Sequence, residues 1–170
     1  KIYPIIQSCA KILANTGIER LCILATPGTV NSHAYLREIS KYNSNIKIME
    51  IACPDWVNIV ETDSVSADFA KESVFSILKQ TEAFQPEKFV LGCTHYPYLL
   101  SVLECFEEKS AFINPAEIFV DYIKKDLQNS NLINNSTGFG TEEFFVTSSP
   151  EDFVRNAKLF YNIKNSPVLV

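Results

Sequence analysis

The 170-residue chain has little of several things that would announce a protein class at once. It holds 15 Lys and Arg against 20 Asp and Glu, and the basic residues form no cluster. Phosphate neutralisation needs such clusters, so no nucleic-acid partner is expected. No run approaches the roughly eighteen uninterrupted apolar residues of a membrane span, and Lys1-Ile2-Tyr3-Pro4 has no signal-peptide pattern. A cytoplasmic protein with no membrane attachment is the expectation. The five cysteines (Cys9, Cys22, Cys53, Cys93 and Cys105) include no CxxC pair and no regular spacing. That argues against a disulfide framework or a zinc site and fits free thiols in a reducing compartment. Cys9, Cys22 and Cys105 are expected to pack as small buried apolar groups.

Low-complexity tracts and internal repeats are missing too. With 46% hydrophobic residues, 21% charged, twelve Phe and seven Tyr, the composition is that of a packed globular protein. A chain of this length can bury roughly 70% of the surface its unfolded form exposes.

Short apolar runs alternate with stretches of helical period, the pattern of an α/β fold whose mainly parallel sheet is flanked by helices. The runs are residues 21–25, 46–51, 88–91, 111–113 and 143–147. Helices are expected over 8–15, ended by Gly17 as a left-handed cap, then over 31–42, from Pro54 to about Glu61, over 64–81, over 98–107 and over 115–128. In the first two long stretches after residue 30, Ala34, Tyr35, Ile39 and Tyr42, and then Val65, Phe69, Phe75, Ile77 and Leu78, are the inward candidates. A last helix starts with Ser149 as N-cap and Pro150 at its first position. Residues 129–141, rich in Asn, Ser and Gly, are the one convincing break, a surface loop or hinge.

Cys93 follows the 88–91 run directly, at the carboxyl end of an expected strand and before a helix. Ligands of open α/β sheets bind at such ends, where free backbone N–H groups face anions. A thiol there can be activated, and His95, two residues on, can accept, donate or orient its proton. Thr94 adds a hydroxyl and an N–H suited to a carboxylate. From the residues alone, Cys-Thr-His allows a nucleophile, an acid/base pair or a metal site, although a lone CxH is too sparse to favour zinc. A buried Cys beside a hydrogen-bonded His is the equally ready structural alternative.

The string Leu91-Gly92-Cys93-Thr94-His95-Tyr96-Pro97 closely resembles the second cysteine motif of glutamate racemases. Two further blocks match that family in order: the segment from Ala25-Thr26-Pro27-Gly28-Thr29 through Ser32 to Tyr35, and Ala52-Cys53-Pro54 followed by Val60-Glu61. The resemblance extends over essentially the whole chain, with Asn114-Pro115-Ala116-Glu117 and the last strand and helix where the family's C-terminal elements fall. The family's opening Asp-Ser-Gly motif, its Pro-Tyr-Gly loop and its first cysteine motif, Cys-Asn-Thr, have no counterpart in residues 1–25, so about the first third of the usual length is missing.

The resemblance implies an aspartate/glutamate racemase-like fold of two lobes. Residues 1–112 would form one complete lobe, and 113–170 the C-terminal part of the other, which is left incomplete. Exposed apolar surface on 115–170 follows, and with it self-association, a homodimer, or pairing with the missing N-terminal segment. The implied activity is interconversion of L- and D-glutamate for peptidoglycan synthesis, without pyridoxal phosphate, metal or any other cofactor. One cysteine removes the α-proton and another, on the opposite face, returns one. Cys93 maps onto one of these, His95 onto the group that assists it, Thr94 onto a substrate-binding position, and Glu61 onto an acidic residue near the site. Thr26 and Thr29 are candidates for substrate contact, with capping of the following helix the favoured alternative. Cys53 matches no catalytic position, and Trp56 is expected to pack.

A thiol with a pKa of about 8.5 is a far weaker base than the carbanion it must generate, and each unit of mismatch costs about 1.36 kcal/mol. Backbone amides and hydroxyls in a water-poor cleft would supply the stabilisation. With Cys93 as the only matching cysteine, the chain is expected to be a truncated piece, one part of a split enzyme, or a decayed relative, in that order of preference. Two other functions stay open. An aspartate or related amino-acid racemase is the nearest, although such enzymes commonly carry Glu at the position of His95. A non-catalytic module that binds an acidic amino acid is the other.

Overall fold

The computed structural model describes residues 1–134, 138 and 140–170. It divides into two compact units, residues 1–132 and 133–170.

The first unit is built on four parallel strands in the order β2-β1-β3-β4: β1 (Arg20–Ala25), β2 (Lys47–Ala52), β3 (Lys88–Leu91) and β4 (Phe112–Ile113). Parallel strands need covering on both faces, which explains why β1 reads as an almost unbroken apolar run and is buried from Leu21 to Ala25. One face carries α1 (Ile5–Leu13) and α3 (Ala34–Ser40). Cys9, Ala10 and Leu13 of α1 and Tyr35 and Ile39 of α3 meet Leu21, Ile23 and Val90 of the sheet in one core cluster. A long helix, α7 (Pro115–Asn129), packs on α1, and Cys9 Sγ donates to Pro115 O at 3.3 Å. The remaining helices of this unit are α2 (Pro27–Ser32), α4 (Trp56–Glu61), α5 (Asp68–Lys79) and the short α6 (Leu100–Leu103), which follows a 3₁₀ turn over Tyr96–Leu99.

The second unit pairs β5 (Phe145–Val146) with β6 (Val168–Leu169) in parallel, on either side of α8 (Pro150–Ala157). Ser149 caps α8, accepting from Asp152 N, and Pro150 stands at its start as expected.

Several expectations need correction. The helix foreseen over 31–42 is two helices joined at His33, whose φ of 50° is left-handed. No glycine marks that break; the His33 ring, held by Glu50 at 2.6 Å, is tied to β2 instead. On α5 the buried positions are Ala70, Val74, Ile77 and Leu78, whereas Phe69 and Phe75 are half exposed, so the small residues make the close approach. Tyr42 is exposed as well, and Cys105 is exposed rather than buried. The 98–107 helix is shortened to the 3₁₀ turn and α6, and β6 had no counterpart among the expected strands. α7 packs with α1 inside the first compact unit, which runs to Leu132. In the hinge segment 129–141, residues 135–137 and 139 lie outside the described residues; Ser130 to Asn134 lies beyond the end of α7.

Apolar side chains do stand exposed in the C-terminal part. Val120 of α7 is 61% exposed, and in the second unit Phe145, Leu169 and Val170 are 59% exposed or more. Among the described residues no helix is long and apolar enough to cross a membrane.

Candidate active site

The chain order of the first four strands fixes where a site can form. From β1 the chain moves to one side to make β2 and then crosses back to make β3 on the other side, so the direction of winding reverses between β1 and β3. Connections leaving these two strands diverge to opposite faces, and a crevice opens outside their carboxyl ends. The segments from Thr26 and from Gly92 emerge there.

The two ends are drawn close together. Gly92 N donates to Leu24 O at 2.7 Å, and a Cβ on Gly92 would lie 3.0 Å from Ala25 Cβ and 3.1 Å from both Leu24 O and Tyr35 Cε2. Only glycine lets the backbone before Cys93 come this near β1.

Cys93 is partly buried. Its Sγ lies 3.8 Å from His95 Nδ1, and the Thr94 hydroxyl lies 3.5 Å from the same nitrogen. The other ring nitrogen, His95 Nε2, is 3.2 Å from Glu61 Oε1 at the end of α4. A carboxylate on one side of an imidazole and a thiol on the other fixes the tautomer and orients the ring, the arrangement by which a base is directed at an acidic hydrogen. Two residues distant in sequence, Glu61 and His95, are thus brought together with Cys93.

Beneath this line, Tyr96 is fully buried and donates its hydroxyl to Cys53 O at 2.8 Å, while its ring meets Trp56 edge-on at 4.9 Å. Cys53 N in turn donates to Ala25 O at 2.9 Å, so the ends of β1, β2 and β3 are laced to one another. Cys53 itself is buried, and burial pushes its thiol well above the ordinary range; Cys22 is pushed up to about 12 and Cys9 to about 11 for the same reason. These three stay protonated at neutral pH. Trp56 is packed in the core, as expected.

A cavity of about 200 Å³ opens beside Cys93, lined also by Thr94, Thr29, Gly92, Tyr35, Asn114 and the α1 residues Ile5 and Ile6. Thr29 therefore faces it, whereas Thr26 does not line it. Thr26 accepts from Thr29 N at 3.4 Å, an N-cap to α2, and its hydroxyl is 3.1 Å from that of Thr29. Asn114 and the α1 pair were missed. The Asn-Pro step was readable as a helix start, and Asn114 does accept from Ala116 N, but nothing local to it signalled a cavity wall. A larger depression of about 330 Å³ lies between Phe75, Phe89 and Phe106, with no thiol or imidazole in its wall. Among the described residues no group of three or more His, Cys, Asp or Glu has the geometry to hold a metal ion.

No protein-family model matches the sequence. Glutamate racemase 1 of Caldanaerobacter subterraneus subsp. tengcongensis is 37% identical over 155 residues, which cover 88% of this chain and 56% of that protein. The glutamate racemase of Trichodesmium erythraeum is 34% identical over 82% of this chain and 53% of its own length. The chain thus spans about half the length of these curated relatives. Among solved structures, the glutamate racemase of Francisella tularensis in complex with D-glutamate superposes with a TM-score of 0.86 at 23% identity, covering 98% of this chain and 62% of that one. The fold is therefore that of the glutamate racemases.

Proposed function

We propose that this chain, a relative of the glutamate racemases in sequence and fold, carries one half of a two-base site that moves the α-proton of glutamate. The observation that carries the reading is the line Cys93–His95–Glu61 at the mouth of the crevice between β1 and β3. Cys93 is the acid/base facing the α-carbon. His95, oriented by Glu61, takes up and returns the thiol proton. Thr94 and Thr29, the hydroxyls that line the cavity, hold a substrate carboxylate, and Thr26 supports Thr29 from behind. The name of the Francisella tularensis structure, a complex with D-glutamate, supports glutamate as the substrate. His95, at a position where aspartate racemases commonly carry Glu, points the same way.

The sequence contains no Cys-Asn-Thr segment to face Cys93 from the other side. Full racemisation then belongs to the protein in which a second thiol is supplied, and residues 113–170 contribute to the lobe that supplies it. In that setting the enzyme works in the cytoplasm, without a cofactor, and delivers D-glutamate for peptidoglycan. The exposed Val120, Phe145 and Leu169 support pairing with such a segment or with a second copy in a homodimer, which light scattering and dye binding would detect.

The direct test is uptake of solvent deuterium at the α-carbon of D- or L-glutamate. Exchange of one isomer that is lost in Cys93→Ser is the expected result. No exchange of either isomer, with glutamate still bound, would convert the reading into that of a non-catalytic acidic-amino-acid-binding module.

A further inference from the structure

The contact between His95 and Glu61 is too weak to hold itself. Both side chains reach solvent, Glu61 with 52% of its side chain exposed, and an exposed ion pair between mobile groups contributes little and is screened by salt. Yet the two groups stand on different elements, His95 on the turn after β3 and Glu61 on the last residue of α4, and their 3.2 Å separation requires those elements to be fixed from below.

What lies below is Tyr96. It is the neighbour of His95 and is completely buried, so its ring cannot move without disturbing the core. Its hydroxyl donates to the carbonyl of Cys53, the residue that follows β2 and leads towards α4. Its ring meets the edge of Trp56, the first residue of α4. One side chain therefore grips α4 at its entry and at its first turn while its own backbone carries His95. Apolar burial alone would be satisfied by Phe; the hydroxyl is engaged with a carbonyl that β-sheet pairing does not use.

We propose that Tyr96 is a positioning residue, which sets the separation of His95 and Glu61 and through it the reactivity of Cys93. The functional consequence rests on the acid/base reading of Cys93 and His95; the mechanical role does not.

The five free cysteines provide the readout. In the folded chain, alkylation by iodoacetamide is followed residue by residue by peptide mass spectrometry. Cys93 reports the site, exposed Cys105 is the control for reagent, and buried Cys22 and Cys53 report loss of the fold. Tyr96→Phe is expected to slow Cys93 alkylation several-fold, as Glu61→Gln does, with Cys105 unchanged and Cys22 and Cys53 still protected. In the double variant the two effects do not add, since both act through the same His95 contact. A purely structural role would lower the melting temperature and leave the Cys93 rate alone. An unchanged rate in Tyr96→Phe, or additive effects in the double variant, overturns the proposal. His95→Gln separates the two levels: if it too leaves Cys93 unchanged, the acid/base reading fails, whereas a slowed His95→Gln beside an unchanged Tyr96→Phe sinks the positioning role alone. Should Tyr96→Phe expose Cys22 and Cys53, Trp56→Phe is read in its place, and an unchanged Cys93 rate there overturns the proposal equally.

Discussion

Adding one methyl group at Gly92 puts the closeness of β1 and β3 to a quantitative test. The Cβ of Gly92→Ala would lie 3.0 Å from Ala25 Cβ and 3.1 Å from Leu24 O and from Tyr35 Cε2. Carbon atoms rest comfortably at about 3.5–4.0 Å, so the methyl is roughly half an ångström too near. None of the three neighbours is the loose end of a flexible side chain: Ala25 and Leu24 are fully buried in β1, and Tyr35 is 2% exposed. Relief must come from widening the strand pair, which strains the 2.7 Å hydrogen bond from Gly92 N to Leu24 O. Overpacking of this kind costs about 1–3 kcal/mol. Alanine also restricts the unfolded chain, which offsets about 0.4–1 kcal/mol, because the φ of Gly92 lies outside the left-handed region. The midpoints of the two ranges leave a net loss of about 1.3 kcal/mol, worth roughly 3–5 °C in a chain of this size. Circular dichroism melts of the two proteins at one pH measure it, with urea midpoints as a second scale. A Gly92→Ala melt that coincides with the parent's would refute the close approach on which the shape of the site depends.

Thr26→Ala removes the side-chain N-cap of α2 and should cost about 0.5–2 kcal/mol in urea titration, whereas Thr26→Ser keeps the hydroxyl and should cost less; an unchanged midpoint in Thr26→Ala would mean that the hydroxyl is not capping. Burial raises the thiols of Cys9 to about 11 and Cys22 to about 12, from 9.0, and raises Cys53 as well. Below pH 9 both folded and unfolded chains keep these protons, so the native advantage is whole; above it the unfolded chain ionises first, and stability falls by on the order of 1 kcal/mol per thiol per pH unit until the folded pKa is reached. Urea midpoints at pH 8, 9 and 10 check this, and flat midpoints, or no relief in Cys22→Ala, would contradict it. The buried apolar core runs from Cys9 to Leu103, so a chain ended after Leu132 should melt within about 2 °C of the parent and keep Cys9, Cys22 and Cys53 protected from alkylation. A molten or aggregated 1–132 would show that the second unit is needed for the first to fold.

The parts of the fold that were legible in the sequence are those in which one physical signal dominates. β3 matches the expected run residue for residue because a central parallel strand is apolar on both faces, and α7 begins where Asn114 and Pro115 say it should. On α5, side-chain size does not follow depth. Phe69 and Phe75 are exposed because Ala70 and Val74, not the aromatics, touch the rest of the fold. The break at His33 was hidden because its left-handed backbone is held by a tertiary contact with Glu50, seventeen residues on, and not by any local glycine. Much the same holds for the site. Cys93, Thr94 and His95 are adjacent in sequence and could be read together, but Glu61 alone looks like any charge at a helix end. Only sheet order and the Cys53–Tyr96–Trp56 packing bring it to His95.

The contrast between the two units bears on which chemistry the chain holds by itself. In the first, the parallel sheet is covered, and the residues on either side of Cys93 are anchored in it through buried partners: Gly92 on Leu24 and Tyr96 on Cys53. In the second, a two-stranded parallel sheet is the weakest form a sheet can take, since parallel strands normally have both faces buried and two strands alone are marginal in water. Phe145, Val168 and Leu169 lie exposed on or beside it. The geometry of the Cys93 half-site is therefore a property of residues 1–132, whereas the second unit has apolar strand surface still to be covered.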